Sequence, residues 1–168
     1  MRWKTPLAVL VVLALAGGAW ALVRARINAT ALAGTAHDIP KPHRDQPPHG
    51  GTAIGLGDDQ FNLELVRDPA AGTLKAFVLD GEMEDFIRIK AKVLEIEAEH
   101  DGRKETLKLL PVADAATGET VGDTCLFQTR ADWLKRVDHF KGTIRALAIQ
   151  DQSFKSVAFA FPEGNGKE

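Results

Sequence analysis

The sequence has no tyrosine, a single cysteine (Cys125) and a formal net charge of only −2. A lone thiol excludes an internal disulfide, so the chain must fold on its hydrophobic core. It also excludes lipid attachment, which needs a cysteine directly after an apolar leader, where this chain has none. The slightly negative charge excludes the basic surface that nucleic-acid binding requires. Aromatic residues are few: eight Phe and three Trp, and two of the Trp, Trp3 and Trp20, lie near the N-terminus. The core must be built mainly from Val, Leu, Ile and Phe, with Trp133 the one tryptophan left for it.

Catalytic signatures are missing as well. There is no G-x-S-x-G, and no carboxylate pair has a spacing that would create distinct acid and base environments. Cys125 sits in an apolar strand context with Phe127 on the same face, which predicts a small buried hydrophobe and not a nucleophile. His139, beside Phe140 near a turn, has no evident partner in the sequence. These absences predict a protein that is not an enzyme.

The first segment that is clearly present is N-terminal. Arg2 and Lys4 precede an apolar run over residues 6–23, a positive region followed by a hydrophobic one, as in export signals. An 18-residue helix spans ~27 Å, just short of the roughly 30 Å hydrocarbon core. Ala19-Trp20-Ala21 fits a cleavage site, yet Leu22 and Val23 prolong the apolar run and Arg24 and Arg26 follow. Residues 1–23 are therefore a signal peptide or a transmembrane anchor. Either places the rest of the chain outside the cytoplasm, on the periplasmic side of the inner membrane or, after cleavage, in the soluble periplasm or secreted. The membrane is thus an expected partner through this segment.

Residues 24–48 lack a sustained apolar period, and Pro40, Pro42, Pro47 and Pro48 cluster in their second half, the composition of a semi-rigid linker. His37, His43 and His49 recur every six residues across its end. Imidazole is the commonest metal ligand, so these three are the candidate ligands for Zn or Cu. The alternative is solvent-exposed histidines in a polar linker, since no close histidine pair or cysteine accompanies them.

From residue 49 to 163 short apolar runs alternate with turn signals, the pattern of an all-β domain. Strands are expected over residues 52–56, 61–65, 73–79, 86–89, 94–98, 105–110, 124–128, 143–149 and 154–161. In the second, Asn62 and Glu64 alternate with Phe61, Leu63 and Leu65, predicting a half-buried strand with the polar pair outward. The third is almost continuously apolar and belongs in a central position. Glu95, Glu97 and Glu99 alternate with Leu94, Ile96 and Ala98 and mark a solvent face, and residues 100–103 turn this strand into its hairpin partner. Residues 131–134 predict one helical turn with Trp133 and Leu134 over an open end of the core. The fold class is an antiparallel β-sandwich or open barrel with that one short turn, and residues 164–168 form a frayed tail. Asp80, Glu82, Glu84 and Asp85 surround Met83 in a loop, either a carboxylate site for a hard cation or a solvated acidic turn.

The opening of this domain is distinctive. Pro48-His49-Gly50-Gly51, a strand, Leu56-Gly57-Asp58 and the run Phe61-Asn62-Leu63-Glu64-Leu65-Val66 resemble an N-terminal β-domain of periplasmic adaptor subunits from heavy-metal efflux pumps. The same opening is similar to that of small uncharacterised exported proteins. The resemblance covers roughly residues 48–89. The long helical hairpin and lipoyl-like domain of adaptors have no counterpart here. The resemblance implies a free-standing periplasmic module connected with transition-metal handling. Two functions follow: a non-catalytic envelope module that binds a partner protein, and an accessory that binds Zn or Cu through His49, His43 and His37.

Overall fold

A computed structural model describes residues 46–166. The strands are β1 (Thr52–Leu56), β2 (Phe61–Asp68), β3 (Thr73–Asp80), β4 (Leu94–His100), β5 (Arg103–Pro111), β6 (Leu126–Arg130), β7 (Phe140–Ile149) and β8 (Gln152–Phe161). One 3₁₀ turn, Asp132–Lys135, lies between β6 and β7. The eight strands form one antiparallel sheet in the order β1-β2-β3-β6-β5-β4-β7-β8. That sheet curls until β8 meets β1, giving a nearly closed barrel and not the two stacked sheets of a sandwich. The apolar segment 6–23, and with it the choice between signal and anchor, lies outside the described residues, among which no helix is long and apolar enough to cross a membrane.

Local sequence explains most of the elements. The β4–β5 hairpin pairs Leu94 with Leu109 and Ile96 with Leu107, and all four side chains point into the core. The turn places Asp101 and Gly102 at positive φ, which a tight two-residue hairpin requires. The outer residues of this hairpin are charged and paired: Glu99 with Lys104 at 3.6 Å, Glu95 with Lys108 at 3.9 Å, and Glu97 with Arg145 of β7 at 3.4 Å. At β7–β8, Gly142 lies opposite Phe159, whose ring covers it so closely that any Cβ there would overlap the ring. The helical turn behaves as its sequence predicts, with Trp133 and Leu134 buried. Arg67 at the end of β2 secures it, donating to the carbonyls of Leu134 and Val137 and pairing with Asp138.

Three expectations change. Residues 86–89 do not form a strand; their backbone pairs with its neighbours only through isolated bridges from Phe86 to Leu79 and from Ile89 to Thr124. Asn62 and Glu64 are buried, because other segments cover that face of β2: Asn62 donates to the carbonyls of Asp80 and Gly81, and Glu64 lies beneath residues 49–51. The tail is held as far as Asn165. Gly164 pairs with Ala160, and the Asn165 amide both accepts from the Gly55 N–H (2.8 Å) and donates to the Gly55 carbonyl (3.0 Å). Together with the Thr52 hydroxyl, which donates to the Pro162 carbonyl, this side chain joins the edges of β1 and β8, where no ladder runs.

Candidate functional site

The site develops around Glu64, a carboxylate with no solvent exposure on the outward side of β2. A buried carboxylate is costly unless its oxygens receive hydrogen bonds. Residues 49–51 supply them. Oε1 accepts from the backbone N–H of His49 (2.8 Å) and of Gly51 (2.9 Å), and Oε2 lies 2.8 Å from Nδ1 of His49. The glycines are what permit the wrap. Gly50 is at φ +67°, and a Cβ on Gly51 would lie 2.5 Å from the Leu65 carbonyl oxygen. His-Gly-Gly is thus a clamp that seats a histidine on a buried acid.

The clamp fixes the imidazole chemically as well as sterically. Glu64 Oε2 faces Nδ1 as an acceptor, which places a proton on Nδ1 and orients the ring. The ring is 39% exposed. It stacks on Phe77 with centroids 4.0 Å apart and planes 17° from parallel, and Phe86 tilts against both rings. Phe77 comes from β3, directly opposite Glu64 in register, and Phe86 from the segment that bridges back to Leu79. Phe86 is 45% exposed. An imidazole oriented by a buried carboxylate and two aromatic rings thus share one surface of the barrel.

The acidic loop adjoins this surface. Asp80 turns inward, its Oδ1 accepting from the backbone N–H groups of Glu84 and Asp85. That use of Asp80 is an ordinary turn cap. Among the described residues no group of three or more His, Cys, Asp or Glu side chains is placed to hold a metal ion. Of the three histidines predicted as ligands, only His49 lies within the described residues; His43 and His37 lie outside them.

Two other polar clusters are built into the barrel. His100, 6% exposed, stacks on Trp133 (4.0 Å, 18°), while Asp101 and Glu105 approach its two nitrogens at 3.5 and 3.9 Å. An open cleft of about 390 Å³ beside it is also lined by His139, Phe140, Phe161 and Glu163. His139, partnerless on sequence grounds, lies 3.3 Å from the Glu163 carboxylate. Cys125 is buried, and its backbone N–H donates to Glu119 Oε1 (3.0 Å). Burial, together with the neighbouring Glu119 carboxylate, pushes the Cys125 thiol up to about 12. Burial also raises Glu119, but the hydrogen bonds from Cys125 and Thr117 and the charge of Arg88 outweigh it and hold this carboxyl below its ordinary value.

Sequence reasoning singled out His49 but missed Glu64, Phe77 and Phe86. A signal for Glu64 was present: a loop that turns two backbone N–H groups toward a strand needs an acceptor, and Glu64 is a carboxylate in the strand that follows. No family model, curated protein or solved structure matches this chain.

Proposed function

We propose that this chain is a non-catalytic envelope module, exported or membrane-anchored through residues 1–23, whose barrel binds a partner protein through the surface around His49. The observation that carries this reading is the clamped ring cluster. Partly exposed aromatic side chains packed on one another provide contact area at little ordering cost, as binding hot spots do. The opposite flank of the barrel, around Glu95, Glu97 and Glu99, is laced with ion pairs and offers no such anchor. The linker, residues 24–48, would hold this surface away from the membrane. A photo-reactive residue placed at position 86 in living cells should give a defined crosslinked adduct, and one at Glu97 should not. Equal labelling from both positions, or none from either, refutes the reading.

A second reading is favoured by one contact. A carboxylate on Nδ1 with Nε2 left to bind is the arrangement that orients metal-ligating histidines. Under this reading the protein is a periplasmic accessory for Zn or Cu, with His43 and His37 as further ligands, in line with the resemblance to efflux adaptors. Calorimetric titration of the full chain with Zn²⁺ and Cu²⁺ tests it. Stoichiometric binding that His49→Ala abolishes supports it, and binding unchanged by that substitution refutes it.

A further inference from the structure

A cleft of about 530 Å³ lies beside the seam between β1 and β8, lined chiefly by Gly55, Asp58, Asp59, Asn62 and Asn165. No Lys, Arg or His side chain lines it. Among the described residues, the carboxylates of Asp58 and Asp59 have neither an ion pair nor a hydrogen bond. Asn62 adds an acceptor of a different kind. It is only 6% exposed, and its Nδ2 donates to the carbonyls of Asp80 and Gly81. Those two acceptors fix the orientation of the amide and leave Oδ1 as the atom facing the cleft. That Oδ1 accepts from no described residue. An unmet acceptor on a side chain buried to this degree is uncommon and points to a missing donor.

Gly55 shows that the strand makes room for this arrangement. It is not at positive φ, so its backbone conformation does not call for glycine. A Cβ there, however, would overlap Asp59 Oδ1 and would stand 3.8 Å from Asn165 Oδ1. The missing side chain is what lets the Asp59 carboxylate lean over β1 toward Asn165.

We infer that this cleft binds an organic cation bearing several N–H groups, an alkylammonium or a guanidinium, held by Asp58, Asp59 and Asn62 Oδ1. Every unpartnered side-chain atom there is an acceptor, and ammonium and guanidinium groups only donate. Donation from a cation to a carboxylate is also the stronger class of hydrogen bond. An anion would meet two carboxylates, and an apolar ligand would leave Asn62 Oδ1 unmet. A calcium ion takes about six to eight oxygens, and among the described residues no three His, Cys, Asp or Glu side chains converge to hold an ion. The cleft volume is that of a small-molecule site and not of an ion cage. None of this depends on the surface around His49.

Calorimetric titration of the full chain in detergent micelles with agmatine, which carries a guanidinium and an ammonium group, tests the inference. Binding should be stoichiometric, with a dissociation constant below about 1 mM, and should weaken as salt rises. Tetramethylammonium has the charge but no N–H, and should bind at least about tenfold more weakly. Asp58→Asn and Asp59→Asn remove charge without disturbing the turn, because asparagine tolerates the left-handed backbone of both positions (φ 52° and 63°). Each should weaken agmatine at least about fivefold while the urea midpoint holds. Acetyl-arginine N-methylamide distinguishes the sources of such a group. Tighter binding than agmatine assigns the site to a polypeptide side chain, and weaker binding to a free amine; both support the site. Agmatine affinity unchanged in both Asp variants overturns the inference. So do equal affinity for tetramethylammonium, displacement of agmatine by Ca²⁺ that Asp59→Asn abolishes, and the absence of any binding.

Discussion

Glu64 and Cys125 are buried side chains whose behaviour can be predicted one residue at a time. Replacing Glu64 by Ala removes the acceptor for two backbone N–H groups and for the imidazole at once. Each orphaned donor costs about 1–3 kcal/mol, so losing the acceptor of the two backbone N–H groups should cost roughly 2–6 kcal/mol, read as a lower urea midpoint with an unchanged slope. Glu64→Gln, which keeps the acceptor for both N–H groups, should lose less than about half as much. For Cys125 the prediction concerns pH. With the folded thiol pushed up to about 12, and an unfolded thiol titrating near its ordinary value of 9.0, the unfolded chain gives up the proton first. The folded state therefore holds more protons between those values, and stability falls as pH rises through that window. Cys125→Ser should flatten that part of the stability profile. In the native protein at neutral pH the thiol should resist alkylation until denaturant is added. A reactive native thiol would contradict its burial. The burial of Cys125 was legible in its apolar context, but Glu119 as its partner was not, because the contact closes a loop rather than a periodic element.

Strand existence was legible wherever one face meets the core and the other meets water, as in β4 and β5, because period-two alternation records that asymmetry directly. It misled in β2. Asn62 and Glu64 alternate correctly, but alternation reports polarity and not solvent, and both faces of that strand are covered. The segment 86–89 failed for the opposite reason. Its apolar residues pack, with Ile89 buried, yet its backbone finds only single bridges and no ladder. The tail was read from polar composition alone, which hides a side chain acting as a substitute for a strand. Asn165 makes the pair of bonds that a peptide unit would make with Gly55, so Asn165→Ala should open the β1–β8 edge. The expected cost is about 1–2 kcal/mol, two net hydrogen bonds, with faster amide exchange at Gly55 and easier proteolysis after Phe161. Unchanged exchange at Gly55 would show that the seam holds without this residue.

For the whole molecule, local pattern identifies faces but not partners, which is why sandwich and barrel stayed open alternatives until the order of strands was known. The pairings that curl the sheet, β3 with β6 and β4 with β7, join residues far apart in sequence, and no turn signal encodes them. The barrel leaves one flank charged and ion-paired and another aromatic around His49, and the proposed use of that division depends on the compartment the domain occupies. The topology prediction addresses this. Arg2 and Lys4 should retain the start of the apolar segment in the cytoplasm, since positive charge is held on that side, and residues 6–23 should engage the export machinery. A reporter active only outside the cytoplasm, fused after Glu168, should then work, and one active only inside should stay silent. Exchanging Arg2 and Lys4 for glutamate should reduce the exported fraction, because the orienting charge is lost. Fractionation separates the two forms of export: protein that stays with membranes after alkaline extraction retains residues 1–23 as an anchor, whereas soluble protein shortened at Ala21 has lost them as a signal. An active cytoplasmic reporter would remove the envelope from the function, leave the clamped His49 surface to be explained by a cytoplasmic partner, and break the connection with periplasmic metal handling.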